Sequence, residues 1–203
     1  MGNHGAKLKS KDLEAIRLST DFTDDEIRAW YRWYKSVISD CPRGRMDMID
    51  FKIIYRWMFP LGVEDKYVKH VFRSFDTNGD GEVDFREFMV SLSITSRGTL
   101  RQKLEWAFKV YDIDGDGFIT RNEILEIFSA MHNLTGDNQN VTGSVLTLQD
   151  RVDELIKRLD KDDDGKISMD EFVEGSGSEP GIVFKLSQIN RKSSLTYSTP
   201  IVL

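Results

Sequence analysis

Three stretches of the chain set oxygen-bearing side chains at the same intervals: Asp76-Thr-Asn-Gly-Asp-Gly-Glu-Val-Asp-Phe-Arg-Glu87, Asp112-Ile-Asp-Gly-Asp-Gly-Phe-Ile-Thr-Arg-Asn-Glu123 and Asp160-Lys-Asp-Asp-Asp-Gly-Lys-Ile-Ser-Met-Asp-Glu171. Each fits D-x-[DN]-x-D-G-x₅-E, a spacing that brings hard oxygen donors onto one divalent cation. Positions 1, 3 and 5 supply side-chain oxygens, position 7 a backbone carbonyl, and position 12 a bidentate glutamate. The candidate ligands are therefore Asp76, Asn78, Asp80, Glu82 and Glu87 in the first stretch. In the second they are Asp112, Asp114, Asp116, Phe118 and Glu123, and in the third Asp160, Asp162, Asp164, Lys166 and Glu171. Glu82, Phe118 and Lys166 take part through the main chain, so their side chains are free to vary. Gly81, Gly117 and Gly165 fall at position 6, where the sharp turn favours a residue tolerant of positive φ. Val83, Ile119 and Ile167 fall at position 8, where an apolar β-former can pair with a neighbouring loop. The expected ion is calcium at three sites, with magnesium as a competitor.

Such loops need helices on both sides, and the flanking sequence has helical period. Tyr67, Val68, Val71, Phe72 and Phe75 lead into the loop at 76, and Phe85, Phe88, Met89 and Leu92 lead out of it. Leu104, Phe108 and Tyr111 precede the loop at 112, and Ile124, Leu125, Phe128 and Met131 follow it. Val152, Leu155, Ile156 and Leu159 precede the loop at 160. Counting back from Asp76 by one repeat reaches a fourth copy, Ser39-Asp-Cys-Pro-Arg-Gly-Arg-Met-Asp-Met-Ile-Asp50, with Gly44 at position 6 and Met46 at position 8. Its frame is intact and its ligands are not: Ser39, Cys41 and Arg43 hold positions 1, 3 and 5, and Asp50 is a carbon shorter than glutamate. This copy reads as a structural partner that binds no ion.

The helix–loop–helix unit is the EF-hand, and the predicted fold is all-α: four EF-hands paired into two lobes, with short β-pairing between loops. Residues 1–22 form an amino-terminal segment with a first helix, and 23–92 the first pair, with its degenerate loop at 39–50 and its intact one at 76–87. Residues 93–99 read as a linker, 100–178 as the second pair with loops at 112–123 and 160–171, and 179–203 as a carboxyl-terminal helix and tail. Asn133 to Gln149 reads as a long polar loop within the second pair. Trp30, Trp33 and Tyr34, at helical spacing before the degenerate loop, read as core aromatics.

The bulk composition narrows the function classes. Acidic residues outnumber basic ones, 34 to 28, giving a formal charge of −6, which argues against a nucleic-acid binder. The single cysteine, Cys41, excludes an internal disulfide and fits a reducing compartment. His4, His70 and His132 are widely separated and make no zinc pattern. With no nucleophile–base constellation or phosphate loop, and with the aspartate clusters accounted for by calcium, the chain is not expected to be an enzyme.

The residues also resemble a known group. The disabled first loop with Cys41-Pro42, the run from Phe75 through Phe88, Ser93-Ile-Thr-Ser-Arg-Gly98, Leu104-Glu-Trp-Ala-Phe108, and Asp170-Glu-Phe172 with Glu174-Gly175 make the chain similar to the neuronal calcium sensors, over roughly residues 1 to 190. Within that group the complete loop Asp160–Glu171 fits the hippocalcin, visinin-like and frequenin branches better than recoverin, whose pattern has an impaired fourth hand. The resemblance implies a sensor whose groove takes helical segments of signalling proteins (kinases, cyclases or channels) and which associates reversibly with membrane from the cytoplasm. It leaves dimerisation open. Gly2 is the N-myristoylation position, although Ala6 stands where Ser or Thr is preferred. Lys7, Lys9 and Lys11 would reinforce one acyl chain at anionic lipid. Trp30, Phe51, Tyr55, Phe59, Phe72, Phe85, Phe88 and Leu92 give the amino-terminal lobe the aromatic face expected of a target groove. The rival expectation is a calcium buffer, which binds the ion without opening.

Overall fold

A computed structural model of the chain describes residues 8–38, 44–58, 65–135 and 147–177. Gly2, Lys7, the ligand positions Ser39, Cys41 and Arg43, Phe59, most of the polar loop after Asn133 and the segment 179–203 lie outside the described residues.

In the amino-terminal half, α1 (Ser10–Ser19) is followed by α2 (Asp24–Val37), α3 (Met48–Met58), α4 (Asp65–Phe75) and α5 (Phe85–Arg97). The carboxyl-terminal half holds α6 (Leu100–Tyr111), β1 (Phe118–Thr120), α7 (Arg121–Thr135), α8 (Leu148–Leu159), β2 (Lys166–Ser168) and α9 (Met169–Gly177). Local chemistry sets most of these starts. Thr23 with Glu26, Thr99 with Gln102 and Thr147 with Asp150 form reciprocal capping boxes that satisfy the orphan N–H groups opening α2, α6 and α8. Asp24, Asp25 and Glu26 also place negative charge at the positive end of the α2 dipole.

The loops of each half meet back to back. Met46 and Val83 exchange both backbone hydrogen bonds, 3.0 and 2.8 Å, across an isolated antiparallel bridge. β1 and β2 pair antiparallel with Ile119 opposite Ile167. All four of these position-8 side chains are fully buried, so each bridge is also part of the hydrophobic core. The amino-terminal core is aromatic. Phe88 is its hub, with ring centroids 5.8 Å from Trp30, 5.9 Å from Trp33, 5.9 Å from Tyr34 and 6.2 Å from Phe75. Phe51 lies 5.3 Å from Phe72 and 5.1 Å from Phe75. Trp30 and Tyr34 are thus core residues, as their spacing suggested, while Trp33 is half-buried beside them.

The segment expected as a linker is mostly helix. Ser93 to Arg97 form the last turns of α5, where Thr95 bonds back to the carbonyl of Ser91 and Ser96 to that of Leu92. Hydroxyls that compete for backbone elsewhere are here satisfied by carbonyls of the same helix. The chain turns only at Gly98, where a Cβ would stand 2.5 Å from the Ile94 carbonyl oxygen, and α6 starts at once from its Thr99 cap. Arg97 then ties the end of α5 back to the entry of α2. It donates to the Asp21 carbonyl at 2.7 Å, pairs with Glu26 at 2.5 Å and lies 4.2 Å from the Phe22 ring centroid. This pairing holds the Glu26 carboxyl down at about 2.

The two halves are in contact, α4 lying against α6 and α7 and α5 against α6. Phe75 and Trp106 meet edge to face across that boundary, centroids 6.2 Å apart.

Candidate metal centres

The three intact loops share one internal architecture. Carboxylate oxygens of the position-1 residues Asp76, Asp112 and Asp160 accept from the N–H of Gly81, Gly117 and Gly165 at 2.9, 3.1 and 2.9 Å. Those glycines have φ of +81°, +89° and +83°, which turns their N–H groups inward at a conformation side chains rarely adopt. Asn78, Asp114 and Asp162 accept from the N–H of the position-5 residue, at 2.8, 3.1 and 3.3 Å. Asp80, Asp116 and Asp164 accept in turn from the position-7 N–H at 3.0, 2.9 and 2.8 Å. Each side chain is aimed by the backbone two to five residues ahead, so the loop's own N–H groups orient the donor set.

The result is convergence. Ligand oxygens of Asp112, Asp114 and Asp116 all lie within 4.8 Å of one another, as do those of Asp160, Asp162 and Asp164. The first intact loop has an amide, Asn78, in place of the middle carboxylate. Burial, with Glu123 and Asp116 nearby, raises the Asp112 carboxyl above its usual range, against the pull of the Gly117 and Gly115 N–H groups. A divalent cation matches this oxygen-only set of crowded carboxylates.

Position 12 closes the loop in a way the sequence pattern did not anticipate. One oxygen of Glu87 accepts from the Thr77 N–H at 3.1 Å, one of Glu123 from Ile113 at 2.7 Å, and one of Glu171 from Lys161 at 2.9 Å. The other oxygen accepts from the position-9 N–H, of Asp84, Thr120 and Ser168, at 3.0, 2.7 and 2.8 Å. The position-9 side-chain oxygen accepts in return from the glutamate N–H, so positions 9 and 12 together cap the exiting helix. Each glutamate is clamped between the loop start and the helix start. These bonds to Ser168 and to the Lys161 N–H hold the Glu171 carboxyl at about 2. The S/T/D-x-x-E signal for this cap was present in all three loops. In the degenerate loop the cap persists without the ligands: Asp47 accepts from the Asp50 N–H at 2.9 Å, and Asp50 from the Asp47 N–H at 3.3 Å. Gly44 keeps its positive φ there, +68°.

Tertiary contacts missed by sequence reasoning hold two of the loops. The buried Tyr34 hydroxyl donates to the Val83 carbonyl at 2.8 Å. Arg73, on α4, donates to the carbonyls of Lys109 (3.2 Å), Val110 (3.4 Å), Asp112 (2.7 Å) and Ile113, capping the end of α6 and the start of the loop at 112.

Of the proposed groove residues, Trp30, Phe51, Tyr55, Phe72, Phe85, Phe88 and Leu92 are all buried in the amino-terminal core. Lys9 and Lys11 are exposed at the start of α1. Among the described residues, no helix is long and apolar enough to cross a membrane.

Comparison with known proteins agrees with this geometry. The EF-hand domain pair family model matches residues 101–176, and an EF hand model matches 68–92. Human recoverin is 40% identical over 179 residues, covering 87% of this chain and 88% of that protein. The chain belongs to the neuronal calcium sensor family. Neuronal calcium sensor 1 of Aplysia californica is also 40% identical, over 187 residues, 92% of this chain and 96% of its own, and chicken visinin is 37% identical over 178 residues, 86% of this chain and 91% of its own. As a member of this family the chain is a calcium sensor that binds the ion through its EF-hands. Identity does not set recoverin apart from neuronal calcium sensor 1, contrary to the expected distance from the recoverin branch. The two measures differ because one complete loop is twelve positions in a match of nearly the whole chain.

Proposed function

We propose that the chain binds three calcium ions, one in each of the loops 76–87, 112–123 and 160–171, and none in 39–50. The observation that supports this is the thrice-repeated clamp, in which position-1, -3, -5 and -12 side chains are aimed by the same backbone donors. Bound calcium supplies the positive charge that offsets their mutual repulsion. Glu87, Glu123 and Glu171 each sit in the first turn of an exiting helix, so a shift of the glutamate toward the ligand centre moves α5, α7 or α9. Through α5, whose Phe85, Phe88 and Leu92 are core residues, that motion reaches the amino-terminal aromatic cluster and opens it to a helical segment of a signalling protein. Gly2 carries a myristoyl group, and Lys7, Lys9 and Lys11 add attraction to anionic lipid. Three calcium ions also bring the formal charge from −6 to zero, which lowers repulsion from such a surface.

Calorimetric titration tests the ion count: three sites in the wild type, and two after each of Glu87→Gln, Glu123→Gln and Glu171→Gln. Any other count rejects the assignment. The buried state of the aromatic face equally suits a buffer, which binds without opening. Calcium-dependent binding of a hydrophobic dye, and calcium-dependent partitioning of the acylated protein onto anionic vesicles, separate the two; neither effect is expected of a buffer.

A further inference from the structure

We propose that Arg45, carried by the loop that has lost its own ligands, sets the calcium affinity of the loop 76–87. The proposal rests on the reading that this loop holds an ion. Gly44 turns the chain at φ +68°, Met46 locks to Val83, and between them Arg45 is delivered to the neighbouring loop. Its Nη1 lies 2.7 Å from Oδ2 of Asp80 and 3.7 Å from a carboxylate oxygen of Glu82. Asp80 is the position-5 ligand, and its other oxygen already accepts from the Glu82 N–H at 3.0 Å. Both oxygens are therefore engaged, one of them by a guanidinium that stays charged at any working pH.

A fixed positive charge there acts in two ways. It shares a ligand carboxylate that the ion needs undivided, and it repels a divalent cation approaching the loop. The carboxyl-terminal half repeats the relation in weaker form. Lys166, at position 7 of its loop as Arg45 is of its own, lies 3.9 Å from Asp116, the position-5 ligand of the partner loop, and 5.1 Å from the Phe118 ring centroid. The reverse relation carries no charge, because position 7 of the loop at 112 is Phe118. The cross-loop cation thus grades the sites: strongest at 76–87, weaker at 112–123, absent at 160–171.

The test uses the full chain carrying Glu123→Gln and Glu171→Gln, so that calcium heats report the loop 76–87 alone. In that background, Arg45→Gln is expected to tighten binding by up to about fivefold at low salt, the scale of an exposed ion pair. The gain shrinks as potassium chloride is raised, and Arg45→Lys, which keeps the charge and loses the fork, falls between. Unchanged or weaker binding by Arg45→Gln overturns the proposal. Should Arg45→Gln fail to fold by circular dichroism, Arg45→Lys decides: tighter binding supports the proposal and equal binding overturns it. If the background binds no calcium at all, the site reading falls, and this inference with it.

Discussion

Arg73, one turn before the loop 76–87, donates to the backbone carbonyl of Asp112, the first residue of the loop 112–123, at 2.7 Å. The bond joins the entrance of one EF-hand loop to the entrance of another across the boundary between the two halves. The same guanidinium also takes up the carbonyls of Lys109 and Val110, groups that the end of α6 leaves without helical partners.

Arg73→Ala should therefore do more than remove a surface charge. Losing a charged donor from several carbonyls that are partly shielded from water is expected to cost about 2 kcal/mol in urea unfolding. Calcium titration of the same variant should show the loops at 76 and 112 filling more independently than in the wild type. A variant with unchanged stability and unchanged binding curves would mean that water replaces the guanidinium at no cost.

His70 sits one turn earlier on α4, 5% exposed, with Nε2 3.2 Å from Glu126 on α7. Burial lowers its imidazole below the ordinary value, Glu126 opposes that, and Arg73 and Lys69 add to the lowering. With the folded value below the unfolded one, the unfolded chain takes up the proton first as pH falls. The stability contribution is present above about 6.5 and is lost below it. Melting temperature is thus expected to drop between pH 7.5 and pH 5.5, with a smaller drop in His70→Gln. Equal slopes in the two proteins would assign the effect to other groups.

Asp163, at position 4 of its loop, has φ +60°, where the other two intact loops have Gly79 at +71° and Gly115 at +76°. Aspartate tolerates this region better than branched residues do. Asp163→Val is expected to lower stability by about 1–2 kcal/mol. Asp163→Gly should be neutral or stabilising, and both variants should keep the calcium count because position 4 is not a ligand. Thermal melts in chelator read the first effect and calorimetry the second.

The loops were legible in the sequence because their chemistry is local: ligand, turn residue and cap all lie within twelve positions. The degenerate loop was legible for the same reason, and its bridge through Met46 lies where the frame put it. Arg73, Tyr34 and Arg45 were not legible, since each acts on backbone or carboxylate 35 to 49 residues away and only the packed structure brings them there. The segment 93–99 was expected as a linker throughout, whereas the Thr95 and Ser96 hydroxyls bond along the helix and the chain turns only at Gly98. The aromatic residues of the amino-terminal half were legible as a set; their sequence could not say that they face one another around Phe88.

The Val83 carbonyl accepts from both the Met46 N–H and the Tyr34 hydroxyl, and the Val83 N–H has its partner in Met46. Excising the first helix–loop–helix repeat, with Tyr34 on α2 and Met46 in its loop, would leave these Val83 groups without those partners in a buried setting. A duplicated module can thus lose its ligand-type residues and still be irreplaceable, because its twin was folded around it. Engineers wishing to shorten this chain would find the repeat with the degenerate loop the harder of the pair to discard.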